Sequence, residues 1–339
     1  MKILPVLITV MIVQSVCSQT RALPKTGTSL SQFTVINTGT SDQLTSISKI
    51  NNNILISGFS SYLAKSYDDC NTLIPVNTPV FMEAPQNRYY STLRMDTNVI
   101  FMSYKTTSSN WKFYKSIDGG NNWVKKQDST HANLFFVEPT LLFFDTSNAV
   151  IVFDYNRTIR TTNGLTTYTV DWVVNGAGYF IFRNSPGVVF GDSTAIVGET
   201  MYGGAYITKN RGKAWQSVGV VGATRDFEAM NKDTIFHISS PATFDTDAYF
   251  GYSFDGGLNW INKSISKPTY FLNVCVKNIN EIYLLAREGA SATGNGVILK
   301  TTNLGQTWKQ LVTPYLADLR DMKFLNEHRS CLWRWWLAV

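Results

Sequence analysis

Apolar and polar positions alternate along most of this chain in short runs, and clusters of Asn, Asp, Gly and Ser close each run. Leu44-Thr-Ser-Ile47, Asn53-Ile-Leu-Ile-Ser57 and Tyr62-Leu-Ala-Lys65 form one series; Ser91-Thr-Leu-Arg94, Val99-Ile-Phe-Met-Ser-Tyr104 and Trp111-Lys-Phe-Tyr-Lys115 form the next. Alternation with β-branched and aromatic residues predicts strands. No segment beyond about 12 residues keeps a helical period of 3.6. The chain reads as all-β.

The series repeat. Ser116-Ile-Asp118-Gly-Gly120-Asn-Asn122-Trp123, Thr208-Lys-Asn210-Arg-Gly212-Lys-Ala214-Trp215, Ser253-Phe-Asp255-Gly-Gly257-Leu-Asn259-Trp260 and Thr301-Thr-Asn303-Leu-Gly305-Gln-Thr307-Trp308 share one pattern. A hydroxyl comes first, Asp or Asn third, Gly fifth and Trp eighth. Two weaker copies lack Gly and Trp: Ser66-Tyr-Asp68-Asp-Cys70-Asn-Thr72-Leu73 and Thr161-Thr-Asn163-Gly-Leu165-Thr-Thr167-Tyr168. The starts at 66, 116, 161, 208, 253 and 301 lie 45–50 residues apart, a period that marks a repeat architecture. Three strands precede each motif and one follows, as in Trp308-Lys-Gln-Leu-Val312. Four strands with turns fill about 47 residues, the size of a β-propeller blade.

The motif suits a hairpin turn. Its Asp or Asn can accept hydrogen bonds from backbone N–H groups two residues on, its Gly adopts positive φ without strain, and its Trp opens the next strand and packs between layers. The copies at 66 and 161 are expected to be looser. These segments resemble the Asp-box, or BNR repeat, of sialidases, sortilin-type receptors, xyloglucanases and photosystem II assembly-factor propellers. Gly294-Asn-Gly-Val-Ile-Leu-Lys-Thr-Thr-Asn-Leu-Gly-Gln-Thr-Trp308 is most similar to the assembly-factor type. The resemblance spans about residues 32–328. It implies a propeller whose motif lies on a peripheral turn, away from the ligand-facing mouth, and it is weak for activity.

A propeller must close its ring or expose a strand edge. Gln32-Phe-Thr-Val-Ile-Asn37 sits where a post-motif strand would sit and is expected to be the outer strand of the final blade. That predicts seven four-stranded antiparallel blades over 19–328, the last incomplete. The seventh starts at Asp318-Leu-Arg-Asp-Met-Lys-Phe-Leu325 and then turns into Arg329-Ser-Cys-Leu-Trp-Arg-Trp-Trp-Leu-Ala-Val339. Three Trp in four residues have no place in the blade pattern. Residues 329–339 read as an aberrant, frameshifted segment, with a divergent apolar tail as the other reading. At the other end, Lys2, the apolar run Ile3 to Val13 and Val16-Cys17-Ser18 read as a signal peptide over 1–18. The run is too short to span a bilayer, and no later stretch does so. The expected location is secreted or extracytoplasmic.

Composition narrows the picture further. Of 339 residues, 44% are hydrophobic and only 16% charged, enough for a core and unlike a disordered chain. A net charge of +6 is too small and too scattered to point to nucleic acid. Cys70, Cys275 and Cys331 remain beyond residue 18, an odd number that argues against a disulfide framework. Asn156-Arg-Thr158 and Asn262-Lys-Ser264 are N-glycosylation acceptors if the host is eukaryotic.

Chemistry is sparse. His131, His237 and His328 have no Cys, His or carboxylate at ligand spacing, so neither metal nor cofactor is expected; a lone strand histidine is more often a satisfied core residue. Gly294-Asn-Gly296 reads as a hairpin turn. Sialidases with this repeat carry an arginine triad, a Tyr–Glu pair and an acidic Asp, the first arginine in a Phe/Tyr-Arg-Ile-Pro motif near the N-terminus. Here the nearest text is Phe182-Arg183-Asn-Ser-Pro186, in mid-chain and divergent. Asp226, Glu228 and Asp321 are candidate glycosidase carboxylates by position alone. Arg88, Arg225 and Arg320 each fall eight residues before Asp96, Asp233 and His328, where a first strand ends. Equivalent blade positions share one face, so three guanidiniums there would bind carboxylates or acidic segments; otherwise they are solvated strand flanks. The expectation is a monomeric, non-catalytic scaffold that binds a protein or an acidic ligand through one face, with a glycan-binding or sialidase-like propeller as the alternative.

Overall fold

The computed structural model describes residues 9–14, 33–37, 44–58, 62–78, 89–94, 96–105, 111–128, 139–153, 157–173, 186–200, 203–240, 248–265, 269–288, 296–311, 319–324 and 329–334. Two strands come from the N-terminal segment, Thr9–Gln14 (β1) and Phe33–Asn37 (β2). Then come Leu44–Ile50, Asn53–Gly58, Leu63–Ser66 and Ile74–Pro75 (β3 to β6), followed by Tyr89–Arg94, Ile100–Lys105, Trp111–Ser116 and Val124–Asp128 (β7 to β10). Thr140–Phe143, Ala149–Val152, Arg157–Thr161 and Thr169–Trp172 are β11 to β14; Gly187–Val189, Ala195–Gly198, Ala205–Thr208 and Gln216–Val218 are β15 to β18. Ala223–Ala229, Ile235–Ser240, Ala248–Ser253 and Ile261–Ile265 are β19 to β22, and Thr269–Asn278, Glu281–Glu288, Gly296–Thr301 and Lys309–Leu311 are β23 to β26. Leu319–Phe324 (β27) and Arg329–Arg334 (β28) end the order.

Among the described residues, β3 to β26 form six four-stranded sheets in sequence order, every pairing antiparallel. The first strands of neighbouring sheets touch in the cycle β3, β7, β11, β15, β19, β23, β27 and back to β3, which places them innermost around a central channel. The protein is a β-propeller. The expected seven antiparallel blades are corrected to six, because the remaining four-stranded sheet is mixed. Its order is β2-β1-β28-β27; β27 and β28 pair antiparallel, while β1 is parallel to both β28 and β2. β2 does take the outermost place, and β28 draws residues 329–334 into the sheet.

Apolar residues of facing sheets make the core. Phe236 and Phe250 pack with Phe271, Ile282 and Leu284 of the next sheet, and Phe101 stacks on Phe143 at 3.8 Å between ring centroids. Burying a side chain of this class contributes roughly 1.5–3 kcal/mol.

The eight-residue motif closes the turn between third and fourth strands through its own side chains. The first-position hydroxyl accepts the N–H of the fifth residue: Gly120 to Ser116 at 2.7 Å, Gly212 to Thr208 at 2.9 Å and Gly257 to Ser253 at 2.9 Å. The third-position oxygen accepts the N–H of the seventh residue, as from Asn122 to Asp118 at 2.8 Å and from Thr307 to Asn303 at 3.0 Å. Its reach is four residues rather than the expected two. These donors hold the Asp68, Asp118 and Asp255 carboxyls down at about 2, led by Thr72, Asn122 and Asn259 respectively. The copies expected to be looser keep the same bonds: Cys70 donates to Ser66 at 2.9 Å and Leu165 to Thr161 at 3.1 Å, and both residues take up positive φ.

At Gly212 two features favour glycine at the fifth position. Gly212 has φ of 78°, and a Cβ there would lie 2.2 Å from Val150 Cγ2 of the preceding blade. The motif Trp wedges into the same seam. Trp308 meets Phe250 edge-on at 5.2 Å, and Trp123 packs on Leu55, Leu63 and Val76. The turn therefore joins adjacent blades as well as adjacent strands. Backbone bonds from Gly119 to Asn98, Gly164 to Ser147 and Gly256 to Asp233 set it beside the hairpin that links first and second strands. Motif turns and these hairpins share one face, so the first strands begin at the opposite face.

Candidate functional site

At that opposite face, β19 and β27 carry matching irregularities. The β19–β20 register slips between Thr224 and Asp226, and the β27–β28 register slips between Leu319 and Asp321. Arg225 and Arg320 are therefore the inserted residues of two equivalent bulges, a device that re-aims a side chain. Leu272 and Thr45 occupy the same place in β23 and β3. Arg88 lies outside the described residues, so the expected triad is described as two equivalent backbone positions with β23 between them.

Arg225 is half-buried, with its guanidinium 4.6 Å over the ring of Tyr270 on β23. Its buried Nε has no hydrogen-bond partner among the described residues. A stacked, partly desolvated guanidinium pairs strongly with a carboxylate that reaches it. Opposite Tyr270 in the β23–β24 register stands Arg287, only 3% exposed. Sequence reasoning missed Tyr270 and Arg287, since neither lies at the column occupied by the three arginines.

One step along β19 and β23, the residue after the bulge reaches sideways to the next sheet. Asp226 Oδ2 accepts from Asn273 Nδ2 at 2.8 Å and from Val274 N at 3.0 Å. Asn273 Oδ1 in turn accepts from Met322 N at 3.3 Å. Thus an inner-strand oxygen of one blade takes up the N–H that follows the equivalent residue of its neighbour. An innermost strand has one unpaired backbone edge, and this relay satisfies part of it. Deeper in, Lys323 Nζ on β27 meets Glu228 Oε2 on β19 at 2.5 Å, spanning β23 between them.

The electrostatics follow from this crowding. Burial raises the Asp226 carboxyl to about 7, against the pull of Lys323 and the Val274 N–H. Burial alone would lower the Lys323 ammonium, but Glu228, Asp321, Cys275 and Asp226 outweigh it and raise it. Burial pushes the Cys275 thiol up, with Glu228 adding to the effect. The three candidate carboxylates do come together on β19 and β27. Asp226, however, is committed to Asn273 and Val274, and Glu228 to Lys323. Repeat arithmetic could have found the relay, because Asp226 and Asn273 precede their motif starts at Ser253 and Thr301 by 27 and 28 residues.

The remaining candidates are dispersed. His237 is fully buried in the second strand of its blade. Its Nε2–H faces Asn262 Oδ1 at 2.8 Å, and Trp260 packs edge-on at 5.0 Å. The neighbouring Gly251 has no room for a Cβ, which would sit 2.0 Å from that nitrogen. Asn262 also donates Nδ2 to Gly219 O at 3.0 Å. Cys70 and Cys275 are buried free thiols. His131, His328, Asn156 and Arg183 lie outside the described residues.

No protein-family model matches the chain, and no curated protein sequence does so either. Solved structures do resemble it. YCF48 bound to a D1 peptide superposes with a TM-score of 0.61 at 16% identity, covering 84% of this chain and 87% of that one. YCF48 from Cyanidioschyzon merolae gives 0.62 at 14% identity, covering 84% and 90%. A prolyl endopeptidase gives 0.54 at 10% identity over 83% of this chain and 44% of its own length. At these identities the likeness is one of fold, and it agrees with the similarity to photosystem II assembly-factor propellers.

Proposed function

We propose that this protein is a secreted, monomeric, non-catalytic propeller that grips an acidic segment of another protein at the face where its first strands begin. In this reading the mixed sheet is the seventh blade, the turn motifs are Asp-boxes, and residues 1–18 are a signal peptide removed on export. The observation that carries it is Arg225, half-buried and stacked on Tyr270, with no hydrogen-bond partner for its Nε among the described residues. The equivalent bulge position of Arg320 adds a second basic residue at the same level of the ring. A YCF48 propeller has been solved with a peptide bound, so a ring of this kind can present such a surface. Among the described residues, Asp226 is bonded to Asn273 and Val274 and Glu228 to Lys323, which counts against their use as a glycosidase pair.

The test is fluorescence anisotropy of a labelled Asp/Glu-rich decapeptide, with a Lys-rich decapeptide as control. Binding of the acidic peptide is expected to weaken with salt and to fall about tenfold or more in Arg225→Gln, as for loss of a charge-assisted pair. Equal affinity in Arg225→Gln and wild type refutes the site. Hydrolysis of a sialoside or a xyloglucan oligosaccharide by the wild type refutes the non-catalytic reading.

A further inference from the structure

The guanidinium of Arg225 rests on a ring from a different sheet. Arg225 is the inserted residue of the β19 bulge, so its direction is set by the register slip and not by the alternation of the strand. Its guanidinium lies 4.6 Å over Tyr270, near the start of β23. Among the described residues no carboxylate pairs with Arg225, and the Tyr270 hydroxyl makes no hydrogen bond. Tyr270 is half-buried, and Arg287, 3% exposed, stands directly opposite it in the β23–β24 ladder. Directly opposed side chains share one face of a sheet, so a buried residue flanks the ring and confines it.

Two consequences follow for a ligand. An arginine on an open strand end loses the freedom of its long stem when it pairs, whereas one already resting on a ring has given up part of that freedom beforehand. Contact with the ring also covers one face of the guanidinium. Its N–H donors all lie in the guanidinium plane, so a partner must arrive edge-on, and two oxygens in that plane make the best fit. A carboxylate of Asp or Glu offers that pair. A sulfate ester carries the same single charge but is a much weaker hydrogen-bond acceptor, so a site that reads only charge treats the two alike.

We propose that Tyr270 is a positioning residue for Arg225, and that the pair selects carboxylates by two-point hydrogen bonding rather than anions by charge. This rests on the acidic-segment reading above and adds the ligand chemistry of that site. The ring contributes its face, and the hydroxyl contributes nothing.

The experiment measures fluorescence anisotropy of two labelled decapeptides of equal charge, one rich in Glu and one with O-sulfoserine in place of Glu. Wild type is expected to prefer the Glu peptide by about fivefold or more. Arg225→Lys should keep the salt dependence and lose the preference, because an ammonium is a point charge without a fork. Tyr270→Phe should match wild type. Tyr270→Leu should weaken the Glu peptide about three- to tenfold and leave the sulfated peptide nearly unchanged. Equal affinity of wild type for the two peptides overturns the proposal and leaves the acidic-segment reading standing. Binding of neither peptide, or a Glu-peptide affinity that Arg225→Gln does not alter, overturns both. A preference that survives in Tyr270→Leu, or is lost in Tyr270→Phe, removes the ring face from its positioning part. Arg225→Lys leaves that ring in place and decides even if Tyr270→Leu does not fold: a retained preference overturns the proposal.

Discussion

Two buried groups in one blade titrate in opposite senses, and the pH dependence of stability should reveal both. His237 has its pKa lowered from 6.5 to about 4 by burial, so its contribution is present above 6.5 and is lost as pH falls through 4. Asp226 has its pKa raised from 3.8 to about 7, again by burial, so its contribution is present below 3.8 and is lost as pH rises through 7. Each group changes stability by about 1.4 kcal/mol per pH unit inside its window. Between about pH 4 and 6.5 the two slopes nearly cancel, each amounting to roughly 3 kcal/mol over the interval. Asp226→Asn keeps an acceptor for Val274 N and removes only the falling slope, so stability should then climb by roughly 3 kcal/mol from pH 4 to 6.5. His237→Gln retains a donor toward Asn262 and removes the rising slope, so stability should fall by a similar amount over that range. Urea unfolding followed by tryptophan fluorescence at half-unit pH intervals measures all three profiles. Superimposable profiles, or tilts opposite to these, would refute the reasoning.

Gly212→Ala must place a Cβ 2.2 Å from Val150 Cγ2 at φ of 78°, and should cost about 2–4 kcal/mol by calorimetry. Trp260→Ala empties the seam around Phe227 and His237 and should cost about 3–5 kcal/mol, while Tyr168→Ala, in a copy without the motif Trp, should cost less; equal losses would mean that the Trp has no special part in joining blades. Asn262 should remain unmodified on protein secreted by a eukaryotic host, because the nitrogen that would carry the glycan donates to Gly219 O; glycopeptide mass spectrometry checks this. Deleting residues 1–36 removes β1 and all but Asn37 of β2 from the closing sheet and should lower the melting temperature sharply; an unchanged value would show that the ring depends on neither strand.

The repeat was legible because its physics is local. Ser116, Asp118, Gly120 and Asn122 bond to one another within eight residues, so the side chains that make the turn also spell it. Repetition every 45–50 residues then implied strands in fours and a ring. Turn quality was judged less well. Leu165 and Cys70 adopt the turn without Gly because burial against their neighbours outweighs the strain of positive φ. The arginine column was visible as a spacing, but the stacking of Arg225 on Tyr270 joins residues 45 apart in two blades and needed the ring to bring them together.

The same holds for the relay from Asp226 through Asn273 to Met322 and for the ion pair of Glu228 with Lys323, whose partners are 47 to 95 residues apart. No local pattern encodes a contact between inner strands of different sheets; only the packing of successive sheets sets which side chains meet there. Strand polarity in the closing sheet is the clearest division. The sequence alone placed Phe33–Asn37 as an outer strand and Leu319–Phe324 as the start of a further sheet. Which segment fills the place between them, and in which direction, was decided by tertiary structure, because two facing backbone edges accept any extended chain that can reach them.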